Sequence, residues 1–325
     1  MHRAVVADAL GPIENYALCS VERQPLGAHE VRIAVKAAGV SFVDVLVAAG
    51  QYQAKPPVPF TPGSECAGIV TAVGSEVNHL SPGQKVIATG WHGMFAEVVT
   101  VPISTVWVMP ENLSFAEGAV LTVSYTTAWH GLVDRGQLQQ GETLLVLGAG
   151  GATGYAAVQL GAHIGARVIA SASSEEKRVM ALAGGAHAVV DSNAANWREL
   201  VKAANAGKPM DVVFDPVGGD ATELAFRTLG WSGRHLIVGF PAGIAAFRTN
   251  LALLKSVSLV GVNVSQLGSA DPKRASDNHA RVLELAEQSL FKPVIAKSYP
   301  LEQFAQAMAA ASKGESAGRI VITMD

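Results

Sequence analysis

The spacing of apolar and polar residues changes along the chain, and the change divides it. From residue 143 onward, short Val, Ile, Leu and Ala runs lie at 143–148, 167–171, 188–191, 211–215, 235–239 and 256–262. Between them, amphipathic segments lie at 154–164, 175–183, 197–206 and 220–229. Continuous apolar runs predict strands buried on both faces, and helical crossovers predict parallel pairing. The series reads as an α/β doubly wound sheet of six strands. The first 120 residues differ: strand-like runs at 31–37, 67–73 and 85–88 are separated by Gly and Pro turns, and 55–62 holds four prolines. This predicts a β-rich domain with long connections. After the six-strand series come a polar stretch at 268–278, a helix at 279–290, a strand at 294–299, another helix and a last strand at 319–323. That last strand is expected to return to the first domain. The expected division is therefore 1–122 with 267–325 as one domain, and 123–266 as the other.

Composition narrows the picture. A 325-residue chain with 49% hydrophobic and 16% charged residues is too apolar to be disordered. Two cysteines exclude a disulfide scaffold. The opening Met1-His2-Arg3 is followed by Asp8 and Glu14 with no long apolar core, which gives the expectation of a cytoplasmic protein. A net charge of −3 leaves no basic footprint for nucleic acid. The uncharged run 143–166 is long enough to span a bilayer, but its glycines cluster at 148–154 and would interrupt a helix mid-membrane. It reads as strand, turn and helix.

That turn carries the main chemical signal. Gly148-Ala149-Gly150-Gly151-Ala152-Thr153-Gly154 follows a strand and opens a helix. Glycines there let the backbone approach a pyrophosphate at the positive helix end. Gly150, Gly151, Ala152, Thr153 and Gly154 are the expected phosphate contacts; the alternative is merely a tight turn between strand and helix. At the end of the next strand an NAD site usually places an acid for the ribose hydroxyl. Here stand Ser173 and Ser174, then Glu175 and Glu176 inside the helix, then Lys177 and Arg178. Hydroxyls and a cation suit a 2′-phosphate, so the cofactor is expected to be NADPH. Residues just past parallel strands wall a ligand site, which points to Val217, to Phe240 with Pro241, and to Asn263 with Val264.

Other chemistries lack support. No cysteine pair has zinc spacing. There is no Gly-x-Ser-x-Gly elbow, no Walker loop and no Tyr-x-x-x-Lys pair. Of nine histidines, His92 and His130 are the candidates for a cleft, against the ordinary fate of a packed or surface side chain.

The chain resembles the zinc-independent quinone oxidoreductases, the zeta-crystallin-like branch of the medium-chain dehydrogenase/reductase superfamily. The resemblance covers nearly the whole chain. It lies in Ser41-Phe-Val-Asp44, Gly50-Gln-Tyr52, Pro62-Gly-Ser-Glu-Cys-Ala-Gly68, Pro82-Gly-Gln-Lys-Val86, Met94-Phe-Ala-Glu97 and Thr126-Thr-Ala-Trp129. It continues through the glycine turn, 174–177, 211–219, 233–240 and 250–262. It implies a GroES-like catalytic domain beside a Rossmann domain that binds NADPH. The zinc-dependent branch has Cys and Gly-His-Glu where Ser41 and Ser64 stand here. The chain also departs from the quinone oxidoreductase pattern at Ser41, Leu46, Ala48, Ala152 and Ser192; a tyrosine near the adenosine phosphate is usual at Ser192.

The resemblance also implies roles. Hydride passes from the nicotinamide to a quinone or enone, and the acceptor oxygen then needs a donor. Tyr52 is the candidate, the alternative being a packed turn residue. Ser41 is expected to bond the nicotinamide ribose or substrate, or only its own backbone. Asp44 is expected to organise its loop. Thr127 resembles the threonine near the nicotinamide. Arg319 could reach the 2′-phosphate, and Trp91 with His92 could line the substrate mouth. The run from Ser256 to Val262 would leave an apolar sheet edge, so a homodimer paired through it is expected. The alternatives are an enoyl-thioester reductase and a non-enzymatic crystallin-like or RNA-binding protein.

Overall fold

Val31, Ile33 and Val35 alternate with half-buried Arg32, Ala34 and Lys36, the period of two that a one-sided strand needs. They belong to β3 (Glu30–Val40), the centre of a seven-stranded sheet in this computed structural model, which describes every residue except Ala54 and Asp325. The preceding β1 (His2–Val6) and β2 (Ala17–Val21) form an antiparallel pair. β4 (Glu65–Val73), β5 (Lys85–Thr89), β6 (Val98–Pro102) and β7 (Val106–Val108) complete the first strand-rich segment. Helix α1 (Phe42–Ala48) and α2 (Phe115–Gly118) begin with the capping boxes of Ser41 and Ser114.

After α3 (Thr122–Trp129) and a π-helical turn, His130–Arg135, the βα series begins. Its strands are β8 (Thr143–Val146), β9 (Arg167–Ala172), β10 (Ala188–Asp191), β11 (Met210–Asp215), β12 (Leu229–Ile237) and β13 (Ser258–Gly261). Its helices are α4 (Ala152–Ile164), α5 (Glu175–Ala183), α6 (Trp197–Ala204), α7 (Asp220–Phe226) and α8 (Asn250–Lys255). All six strands pair in parallel, in the order β10-β9-β8-β11-β12-β13. Leu144, Leu145 and Val146 are wholly buried, as strands covered on both faces require. β8 and β11 flank the point where strand order reverses, which is where doubly wound sheets open a crevice.

The chain continues through α9 (Val264–Ala270) and α10 (Pro272–Glu287), then β14 (Ile295–Pro300), α11 (Phe304–Lys313) and β15 (Arg319–Thr323). β15 pairs antiparallel with β3 and parallel with β14, so the last strand does return to the first sheet. Two compact units result: Met1–Val123 with Lys292–Asp325, and Ser124–Phe291.

Two expectations need correction. The polar stretch at 268–278 is largely helical. Asp271 caps α10 by accepting from the Arg274 amide at 3.1 Å, and Pro272 sits at the first helical position, where its missing N–H costs nothing. Residues 267–291 also group with the second unit, not the first. Half-buried Asp134 of the π-helical turn accepts from Asn278 at 2.8 Å and Arg274 at 3.1 Å, and Phe291 packs 4.9 Å from the Tyr125 ring. Among the described residues, no helix is long and apolar enough to cross a membrane.

Candidate functional site

The glycine turn at the end of β8 is shaped by what its missing side chains would strike. Gly148 has φ +56, and a Cβ there would lie 2.8 Å from the Val217 side chain. A Cβ on Gly150 would lie 2.5 Å from Lys177, and one on Gly154 would lie 2.2 Å from the Gly148 carbonyl oxygen. The turn is thus pressed against α5, its own helix and the loop after β11. Gly151 caps the thirteen-residue α4 with no side chain bonded to the first turn, so the amides that open this helix are left for an anion.

A cavity of about 430 Å³ opens beside this turn, past the carboxyl ends of the strands. Six expected residues line it: Gly150, Gly151, Ser173, Lys177, Ser192 and Val217. The two basic residues of α5 part company. Arg178 is engaged by Glu175 at 2.9 Å, Asp191 at 3.3 Å and the Ala172 carbonyl at 3.2 Å, whereas Lys177 lines the cavity. Ser174 caps α5, accepting from the Lys177 amide at 3.3 Å, and is not among the lining residues. Ala152 and Thr153 form the first turn of α4. The only carboxylate among the lining residues is Glu199, in the first turn of α6.

Sequence reasoning missed three lining residues on α6, Trp197, Arg198 and Glu199. Buried Trp197 donates from its indole to the Ser171 hydroxyl at 2.9 Å, tying the start of α6 to the end of β9. The next residue, Arg198, is exposed, lines the cavity, and has no ion-pair or hydrogen-bond partner among the described residues. A basic residue in the first turn of the third crossover helix was the available signal.

The loop after β11 is held from below. The Asp215 carboxylate accepts from the Val217 and Gly218 amides, both at 2.9 Å. It also accepts from Thr222 at 2.7 Å and lies 3.0 Å from His235 Nε2. Burial works to raise its pKa, but these bonds outweigh it and hold the carboxyl below its ordinary range. The Ala242 amide donates to the Val217 carbonyl at 2.9 Å, which brings exposed Phe240 and Pro241 beside this loop. Asn263 caps α9 and Val264 begins it; neither lines the cavity. Thr127 is half-buried on α3.

In the first unit, the Ser41 hydroxyl donates to Asp44 at 2.6 Å and accepts from the Asp44 amide at 3.1 Å. Its proton is committed, so Ser41 cannot act as a donor in this geometry and retains only the capacity to accept. Asp44 organises this cap, as expected. Half-buried Tyr52 lies 6.4 Å from the exposed Trp91 ring, and its hydroxyl has no hydrogen-bond partner among the described residues. His92 packs 5.5 Å from Phe60.

Two side chains are not where expected. Arg319 cannot serve a 2′-phosphate, because it is buried in the first unit and donates to Glu65 at 2.9 Å. Burial pushes the Glu65 carboxyl up, and the Arg319 charge opposes this. His130 is buried in the second unit and bonded to Asp134 at 2.8 Å, part of the contact that docks α10. Among the described residues, no three His, Cys, Asp or Glu side chains are grouped to hold a metal ion.

Comparison with known proteins places these features. The family described as "Alcohol dehydrogenase GroES-like domain" matches residues 27–111, and that described as "Zinc-binding dehydrogenase" matches residues 152–282. "Quinone oxidoreductase-like protein 2" of Rattus norvegicus is 36% identical over 99% of this chain and 92% of its own. The crystal structure of a probable oxidoreductase from Mycobacterium abscessus superimposes with a TM-score of 0.90 at 33% identity, over 99% of both chains. That of CurK enoyl reductase does so with a TM-score of 0.90 at 25% identity, over 100% of this chain and 99% of that one.

Proposed function

Because this chain belongs to the quinone oxidoreductase branch of the medium-chain dehydrogenase/reductase superfamily, whose members use NAD(P), we propose that it is an NADPH-dependent reductase of quinones or α,β-unsaturated carbonyls that works without zinc. One observation carries the cofactor preference. At the end of β9 the cavity presents Ser173 and Lys177, and its one lining carboxylate, Glu199, belongs to α6 and not to the stretch after β9 where a ribose-binding acid would stand.

The residues fit a dinucleotide: the turn is bare where a Cβ would fill it, and 430 Å³ is ample for its adenosine end. The first amides of α4 take the pyrophosphate. Ser173 and Lys177 take the 2′-phosphate, and the small Ser192 leaves room at the adenosine. When bound, the nicotinamide supplies the hydride. As the acceptor accumulates negative charge on oxygen, the Tyr52 hydroxyl donates to it. Trp91 offers an exposed aromatic face to a flat acceptor. The reading without zinc rests on Ser41 and Ser64, which cannot replace thiolate and imidazole ligands.

Likeness to CurK enoyl reductase favours a second reading, reduction of an enoyl thioester. We also place the protein in the cytoplasm and as a homodimer. β13 is one of the two edges of its sheet, unpaired on its outer side among the described residues, and Leu259 on it is exposed, which suits pairing with a second copy.

The test is loss of NADPH absorbance with 1,4-benzoquinone, phenanthrenequinone, an alkenal and crotonyl-coenzyme A. Turnover of a quinone or the alkenal is expected. Turnover of the thioester alone would select the second reading, and turnover of none would overturn the proposal.

A further inference from the structure

His235 is completely buried on β12, and its Nδ1 has no hydrogen-bond partner among the described residues. Its Nε2 faces Asp215 at 3.0 Å, so Nε2 carries the proton and Nδ1 is left as an unmet acceptor. Phe226 packs against the imidazole at 5.8 Å between ring centres, so an apolar side chain would suit this core position better. The polar group has a purpose elsewhere. Asp215 receives His235 and buried Thr222 on one oxygen, and the amides of Val217 and Gly218 on the other. Gly218 and Gly219 are held at φ +76 and +60, and Val217 stands at the cavity wall against Gly148.

We propose that His235 and Thr222 are positioning residues for dinucleotide binding. They fix the Asp215 carboxylate, and Asp215 fixes the 217–219 loop at the wall of the cofactor cavity. This rests on the dinucleotide reading above. Neither residue touches the cofactor. Without the two donors the carboxylate turns, the loop amides lose their acceptor, and Val217 leaves its place beside the glycine turn.

The experiment is calorimetric titration of NADPH and NADH into the full-length parent, His235→Leu, His235→Gln and Thr222→Val. His235→Leu and Thr222→Val should each raise the Kd of both dinucleotides roughly five- to thirty-fold at unchanged stoichiometry, with the NADPH-to-NADH ratio preserved. His235→Gln keeps an N–H at the place of Nε2 and should restore Kd close to the parental value. If His235→Leu does not fold, Thr222→Val exchanges a hydroxyl for a methyl of similar shape and gives the same reading. Parental Kd values in the variants that fold would overturn the proposal. So would a loss seen only as reduced stoichiometry, which is the mark of a merely structural role. A parent that binds neither dinucleotide would overturn the reading beneath it.

Discussion

Gly154→Ala sets two known effects against each other at one position. Gly154 lies in the first turn of α4, and replacing a helical glycine by alanine ordinarily stabilises by up to about 1 kcal/mol. Here the new Cβ would come 2.2 Å from the Gly148 carbonyl oxygen, 2.8 Å from its carbon and 3.0 Å from the Ala149 Cα. A relaxed carbon–oxygen contact needs about 3.3 Å, so something must move by about 1 Å. All three neighbours are backbone, and none can rotate away. Overpacking of this kind costs about 1–3 kcal/mol, which exceeds the propensity gain. The predicted net is a loss of about 1–2 kcal/mol in urea unfolding, with dinucleotide Kd raised about tenfold or more because the first-turn amides shift. Gly268→Ala is the matched control. It is also helical, on α9, and its Cβ would meet nothing within 4 Å. That variant should gain about 0.5–1 kcal/mol and bind as the parent does. If Gly154→Ala is as stable as the parent and binds equally, the close packing of turn and helix is not what requires glycine there.

Three further outcomes follow from the same geometry. Arg319→Leu leaves Glu65 buried without its cation and should cost about 3 kcal/mol near neutral pH. Because burial already raises the Glu65 pKa, protonation relieves the orphaned charge, so the loss should shrink as pH falls; an NADPH-to-NADH preference that moved with it would restore a cofactor role for Arg319. The Asp215 pKa is lowered on folding, so its contribution is present above the ordinary carboxylate value and is lost as pH falls through the folded one. Asp215→Asn should therefore flatten the acid limb of the stability profile, and an unchanged acid limb in a folded variant would contradict this. Sedimentation at micromolar concentration should give a dimer, and a monomer alone would remove the β13 pairing.

What was legible in the sequence was local. The uncharged apolar run 143–147 read as a strand buried on both faces once the clustered glycines argued against a membrane span, and four glycines within 148–154 read as a turn that a pyrophosphate approaches, against a plain tight turn. The quinone oxidoreductase likeness was readable from motifs spread over the whole chain. What was illegible was long-range or polar. Arg319 seemed a free cation because its partner Glu65 lies 254 residues away and meets it only when β15 closes on β3. The start of α10 was hidden because Pro272, Lys273, Arg274 and Asp277 show no apolar stripe; Asn278 and Arg274 reach Asp134 from another helix. Arg198 was passed over because its one signal, a basic residue in the first turn of the third crossover helix, is shared with ordinary solvated helix faces. The Asp215 clamp was invisible because His235 joins it from the neighbouring strand.

The central claim is that the cavity beside the glycine turn holds a dinucleotide carrying a 2′-phosphate. Titration of NADPH and NADH into the parent and Lys177→Ala tests it most directly. The parent should bind NADPH more tightly than NADH, and Lys177→Ala should weaken NADPH by about tenfold while leaving NADH almost unchanged, since one charge-assisted contact to phosphate is removed. Equal binding of the two dinucleotides by the parent, or a preference that Lys177→Ala leaves intact, would contradict it.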